Sequence, residues 1–329
     1  MALGLAPGDA AARAYPKVVD FLATLDGATE PAYPTYAEAL AVLVFNSPAN
    51  QRHAAVRDRL RARLRTRQLG PANGWKADDA SYGGWGYYPR QPKRPAGAIH
   101  DDLLSSNLSA TLLVVGALTL GGVPADDPAL VVARGFVERC QNRILPCPAN
   151  PCPTDGGFFF SPAVPDSNKA GTLRFGDRDV FRSYGSMTAD GLRALLRLGV
   201  APGDKRVVEA ADWLERNFDP AQNPGTFADG AEVRRASAYF YWSWTSAHAL
   251  RAIGRPELVT TRGRVAWAPA LAAELLRRQR DDGAWKNDYT EMREDDPVVA
   301  TSFAMASLLV CRGVITGEYR SHAGSAGVL

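Results

Sequence analysis

One local pattern occurs three times in this chain and limits its possible folds more than any other feature. A Gly-aromatic turn, GGWGYYP at 83–89, leads through a polar loop into the apolar stretch 108–118. DGGFFFSP (155–162) leads in the same way to SYGSMTADGLRALLRLG (183–199), and DGAW (282–285) leads to ATSFAMASLLVCRG (300–313). Self-similarity of this kind marks stacked supersecondary units. Stacked units add length without enlarging one core, so all 329 residues are expected to form one domain. The repeats fall at roughly 11–46, 50–120, 128–199, 205–254 and 264–313, followed by a short tail, 314–329.

Hydrophobic periodicity predicts ten helices in five pairs: 11–25 with 35–45, 50–68 with 105–120, 128–141 with 186–198, 205–218 with 238–253, and 264–280 with 298–311. The first helix of a pair carries a charged face, as in ALAAELLRRQR. The second is apolar or small almost all round, as in LSATLLVVGALTL and VVATSFAMASLLV. A helix with a charged stripe lies outside, and one apolar all round is buried. The expected fold is therefore all-α, a barrel of helical hairpins or α/α toroid. Five hairpins are visible, a sixth is possible, and little or no β structure is expected.

The first helices also end in one phase. Leu64/Gln68, Val137/Gln141 and Leu275/Gln279 share it, and Leu214/Phe218 keeps the phase without the glutamine. A helix C-terminus leaves carbonyls unpaired, and a primary amide can donate to them and to the turn that follows. Two long connections, 69–104 and 142–182, run from an outer helix to an inner one and should gather at one mouth of the ring. Loops of that length are functional or disordered, and their Gly, Pro and aromatic content favours folded lids.

Composition narrows the function classes. The 38 Lys and Arg against 35 Asp and Glu give a net charge of +3, without the concentrated basic face a nucleic-acid partner needs. The basic run 57–67 places Leu60 and Leu64 at i, i+4 and reads as a solvated outer helix. No stretch approaches the ~20 apolar residues that span a bilayer, and no signal peptide is visible, so a cytoplasmic protein is expected unless the true start lies upstream. Cys311 belongs to an apolar helix and reads as core. Cys140, Cys147 and Cys152 lack a CxxC pair and a fourth ligand, so no metal or other cofactor is expected. Cys147 and Cys152 remain either free thiols or a loop disulfide.

QRDDGAW, from Gln279 through Gly283 to Trp285, resembles the QxxxGxW core of the repeat shared by squalene and oxidosqualene cyclases and protein prenyltransferase β subunits. Gln68 and Gln141 hold the same place in earlier repeats, and the grammar covers about 35–313. The resemblance implies a toroid around an apolar cavity with an isoprenoid ligand. Residues 83–118 look like the cyclase stretch in which GGW, a loop and a DxDDTA box open an inner helix. Here Ser105, Ser106, Asn107 and Leu108 stand where that box belongs, so the cyclase acid is absent. Prenyltransferases hold zinc through an Asp, a nearby Cys and a later His. Here Asp102 has no cysteine after it, and Arg182 and Tyr184 stand where the histidine would fall. Zinc-dependent prenyl transfer is not expected.

Two acidic clusters remain as candidates for a general acid: Asp101 with Asp102, and Asp295 with Asp296 beside Glu294 and Pro297. Each also fits an ordinary helix start, where negative charge and an early proline are favoured. Trp85, Tyr87, Tyr88, Phe158 to Phe160, Tyr184, Tyr241, Trp244 and His248 are the candidate cavity wall. Aromatic rings stabilise cations and bind apolar ligands, and they also fill ordinary core. His248 equally reads as a hydrogen-bonded core histidine. The expected function is binding of an isoprenoid or other hydrophobic ligand. The alternatives are a lipid- or terpenoid-transforming enzyme using one of the acid pairs, and a non-catalytic scaffold that binds a peptide.

Overall fold

Apolar runs bounded by capping residues become the helices of this chain. The computed structural model describes residues 9–27, 31–97, 101–143, 154–175, 178–289 and 291–318. Among them are eleven helices. They are α1 Asp9–Ala23, α2 Pro34–Phe45, α3 Ala54–Thr66, α4 Leu108–Thr119, α5 Pro128–Arg139, α6 Gly185–Arg197, α7 Lys205–Asn217, α8 Glu232–Ala236, α9 Tyr239–Ile253, α10 Trp267–Arg277 and α11 Pro297–Ile315. Local chemistry sets many of their starts. Asp127, Asp204 and Asp296 accept from the backbone N–H of Ala129, Arg206 and Val298, and Pro128 and Pro297 open their helices. Asn107 caps α4 by accepting from Ala110.

The chain is all-α, and among the described residues strands occur only in three two-stranded antiparallel pairs. These are β1 Trp85–Gly86 with β2 Ser106–Asn107, β3 Thr172–Phe175 with β4 Arg178–Phe181, and β5 Glu257–Thr260 with β6 Gly263–Ala266. The last pair corrects the helix expected over 264–280, which starts instead at Trp267. Leu258 points into the core while its neighbours Glu257 and Val259 stay exposed, the alternation of a strand rather than a helix. Gly263 supplies the turn with φ +119°. Ser106 and Asn107 likewise form strand β2, not the first turn of a helix starting at 105.

The helices α2, α4, α6, α9 and α11 contact one another in chain order and carry most of the core. All of α4 except Thr119 is buried, whereas α3 buries only Leu60 and Leu64. Helices α4 and α3 therefore follow the hydropathy pattern. By contrast α11, expected to be buried because it is apolar all round, has only 33% of its apolar stretch buried and leaves Val298 and Ile315 exposed. Outer α3 and α7 lie chiefly on the inner helix before them, α2 and α6, and less on the inner helix that follows, α4 and α9. For α3 and α7 the short connection thus makes a tighter partner than the predicted pair, whereas α10 and α11 pack together as predicted. Cys140 and Cys311 are buried free thiols, whereas Cys147 and Cys152 lie outside the described residues. Contrary to expectation, one helix, α11, is long and apolar enough to cross a bilayer. It packs on α9 and α10, so the described residues contain no clear transmembrane segment.

The repeated grammar has one physical origin. Gln68 Nε2 donates to Gly83 O at 2.8 Å, Gln141 Nε2 to Gly156 O at 2.9 Å, and Gln279 Nε2 to Gly283 O at 2.8 Å. All three glycines have φ near +80° to +96°, a region costly for any other residue. The amide's second proton does not return to its own helix, as the sequence suggested. From Gln68 it goes to Ala129 O, and from Gln141 to Arg206 O, both 2.8 Å away in the first turn of the next outer helix. One side chain thereby fixes a turn and ties consecutive repeats together. Indole takes over the helix end: Trp85 Nε1 donates to Leu64 O and Trp285 Nε1 to Leu275 O, each at 2.7 Å. A threonine in each inner helix completes the frame. Thr111, Thr188 and Thr301 accept from the backbone N–H of Trp85, Phe158 and Trp285.

Candidate functional site

The inner helices and the long loops enclose a cavity of about 280 Å³. Its deep part is formed by Ser109 of α4, by Ser186 and Met187 of α6 with the preceding Tyr184, and by Tyr241 of α9. Tyr87 and Phe160 arrive on the two long loops. Their rings continue a file that begins on α2: Tyr36 stacks on Tyr87 at 5.6 Å, and Tyr87 on Phe160 at 6.4 Å. The exposed side chains Asp166, Ser167, Arg234 and Glu291 form the rim with half-buried Lys169 and Met292. Lys169 Nζ lies 3.5 Å from Glu291 Oε2, and burial holds its pKa below the usual lysine value. The cavity is thus aromatic and thioether inside and charged at its entrance.

Directly behind the floor lies Asp190, with no exposed surface. Its Oδ2 accepts from Tyr241 Oη at 2.6 Å and from Ser109 Oγ at 3.3 Å, and its Oδ1 accepts from Thr245 Oγ1 at 2.5 Å. Thr245 in turn accepts from Arg193 Nη1 at 3.0 Å, and the Arg193 guanidinium lies over the Trp244 ring at 4.6 Å. The network therefore ties α4, α6 and α9 together. Burial pushes the Asp190 carboxyl up to about 6, against the opposing pull of Arg193 and the three hydroxyls. The Tyr241 hydroxyl is pushed well above its usual range by burial and by the Asp190 charge.

A second buried acid, Glu294, holds the start of α9. Its carboxylate accepts from the backbone N–H of Phe240 at 3.0 Å and of Tyr241 at 2.7 Å, and from Asn287 Nδ2 at 3.0 Å. These are donors that a helix N-terminus leaves unpaired, and α9 has no cap of its own at Ala238. Burial pushes Glu294 up to about 7 in spite of those bonds. Glu294 thereby positions the segment that carries Tyr241 into the cavity.

Only part of the expected cavity wall is assembled here. Tyr87, Tyr184 and Tyr241 line the cavity. Trp85 and Phe158 are consumed in the repeat frame. Tyr88 packs against a separate small cluster of Leu69, Trp75 and Leu104. Trp244 is buried against Tyr241 and Phe303, and His248 meets Trp244 edge-on at 5.8 Å, one turn further along α9. None of the four candidate acids lines the cavity. Asp101 accepts from Leu103 N at 2.9 Å and Asp296 from Val298 N at 2.9 Å, both as caps. Asp102 is exposed and Asp295 half-buried. Asp190 is not among the residues expected at the site, although SYGSMTADGLRALLRLG places Asp190, Arg193 and Arg197 inside a helix expected to be buried. Charge in a buried helix was the available signal.

No protein-family model matches the chain, and no curated protein does. The geometry of the cavity and its buried acids therefore carries the functional argument alone.

The two raised carboxyls give the chain a distinctive pH response. A carboxyl whose folded pKa exceeds its unfolded value binds protons more readily in the native state. Its contribution is fully present below the unfolded value, 3.8 for Asp190 and 4.5 for Glu294, and is lost as pH rises through about 6 and about 7. Thermal stability should therefore fall between about pH 5 and pH 8. Glu294→Gln, which cannot ionise, should flatten the upper half of that fall. A wild-type melting temperature that rises steadily over this window would contradict the assignment.

Proposed function

We propose that this chain is a toroid of the squalene-cyclase and prenyltransferase repeat kind that binds an isoprenoid or related hydrophobic molecule in its central cavity. The consecutive contacts of the inner helices and the Gln-Gly-Trp frame support the architecture. The observation that carries the ligand reading is the cavity itself. Four aromatic rings, Tyr87, Phe160, Tyr184 and Tyr241, and the thioethers of Met187 and Met292 surround about 280 Å³. That volume lies just below the usual range for small-molecule sites, which are mostly apolar with a few placed polar groups. It suits a short isoprenoid or a compact apolar ring.

The test is to incubate the purified protein with a lipid extract, remove unbound material and identify what is retained by mass spectrometry. An apolar molecule retained by the wild type, and lost when Met187→Trp fills the cavity, is the expected result. Equal retention by both proteins would place the ligand elsewhere, and no retention would remove the reading.

One observation favours a second reading, conversion of the ligand. The Tyr241 hydroxyl faces the cavity with a buried carboxylate 2.6 Å behind it, an arrangement suited to proton transfer. In that case Tyr241 is the group in contact with the ligand and Asp190 positions it. The proton-transfer role expected of Asp101, Asp102, Asp295 or Asp296 passes to this pair, which is set to take a proton from the ligand, Tyr241 passing its own to Asp190.

A further inference from the structure

The protons around Asp190 define what the cavity floor can recognise. An ionised carboxylate only accepts hydrogen bonds, and a hydroxyl has one proton to give. The Tyr241 proton is committed to Asp190 Oδ2 at 2.6 Å, and the Thr245 proton to Oδ1 at 2.5 Å. The Ser109 proton points the same way, shared between Asp190 Oδ2 at 3.3 Å and Met187 Sδ at 3.8 Å. Tyr241 and Ser109 both line the cavity. With their protons turned inward to the acid, the atoms they offer a ligand are oxygen lone pairs. Ser186, on the same wall, is oriented the other way. Its oxygen accepts from Asn223 Nδ2 at 3.1 Å, and among the described residues its own proton has no acceptor.

We propose that the ligand carries an alcohol hydroxyl on its apolar body, and that this hydroxyl donates to Tyr241 Oη while accepting from Ser186 Oγ. The inference rests on the cavity being a hydrophobic-ligand site and names the polar group of that ligand. An alcohol supplies both a proton and a lone pair. An aldehyde or ketone supplies only lone pairs and sets them against those of Tyr241 and Ser109. A hydrocarbon supplies neither, and leaves buried polar atoms unpaired. Sites built to pair a substrate hydroxyl discriminate strongly against analogues that lack it, whereas a purely apolar wall hardly does so.

The experiment uses the full chain at about pH 8, where Asp190 is ionised. Dissociation constants are measured by tryptophan-fluorescence quenching or calorimetry for geraniol, for geranial, and for the hydrocarbon that lacks the oxygen. The expected result is that geraniol binds at least about tenfold more tightly than either analogue. In Tyr241→Phe the alcohol should fall to the affinity of the hydrocarbon. If that variant does not fold, Ser186→Ala removes the reciprocal donor and should narrow the same ratio. Equal binding of the three molecules overturns the hydroxyl assignment and leaves the cavity reading standing. Tighter binding of the aldehyde overturns the assignment of the Tyr241 proton. Failure of all three to bind overturns the cavity reading and this inference with it.

Discussion

Asp190→Ala should lower folding stability by about 3–5 kcal/mol, the range for removing one partner from a buried charge network. Arg193 is 1% exposed, and its charge is answered by Asp190 through Thr245, which accepts from the guanidinium and donates to the carboxylate. Alanine would leave that guanidinium in the core without a carboxylate to answer it, beside Thr245 and the Trp244 ring. It would also strip the Tyr241 and Thr245 hydroxyls of their acceptor. Asp190→Asn keeps the volume and one acceptor oxygen, so its cost should be smaller. Urea denaturation checks this: the midpoint should drop with the slope unchanged. A loss under about 1 kcal/mol would mean that the network contributes little to the fold and that the acid is held there for the cavity alone.

Trp85→Ala is the second large effect, at about 3–5 kcal/mol for a fully buried tryptophan. The ring has no exposed surface, packs in the main core, and caps the end of α3 through Leu64 O. The repeat frame refines the prediction. Phe158 occupies the equivalent turn without an indole, so Trp85→Phe keeps much of the packing and loses the 2.7 Å bond to Leu64 O. That substitution should cost only about 1–3 kcal/mol. Thermal unfolding of the two variants side by side separates packing from capping, and equal losses would show that the indole bond carries the whole effect.

Much of the fold could be read from the sequence because its signals are local. Apolar periodicity, the aspartates before α5, α7 and α11, and prolines at the first helical position each act within one turn. The Gln-Gly-Trp frame was visible for the same reason, since Gln279 and Gly283 are four residues apart. Its second half was not visible. Gln68 reaches Ala129 and Gln141 reaches Arg206 only after the outer helices stack, across more than 60 positions of chain. The β5–β6 hairpin was missed because its short apolar segment runs straight into the helix that follows, where period alone decides poorly.

The site was less visible for a related reason. Aromatic residues are plentiful in this chain, and sequence cannot tell a ring that faces a cavity from one that fills core. Tyr87, Tyr184 and Tyr241 do the first, while Trp85, Phe158 and Trp244 do the second. The acidic clusters concentrate charge in the sequence, yet Asp101 and Asp296 spend that charge on capping. Glu294 sits in one of those clusters. It reads as part of a helix start, and it does serve one, but the helix is α9, more than 50 residues away.

The sequence by itself determined the all-α class, the order and approximate ends of most helices, and which of them are buried, α11 excepted. Those properties follow from side-chain periodicity and capping over a few residues. Tertiary structure alone decided that Asp190, Tyr241, Ser109 and Thr245 share one buried network and that three particular tyrosines enclose the cavity. Hydrogen bonds and desolvation act over about 3–4 Å in space, whatever the separation along the chain.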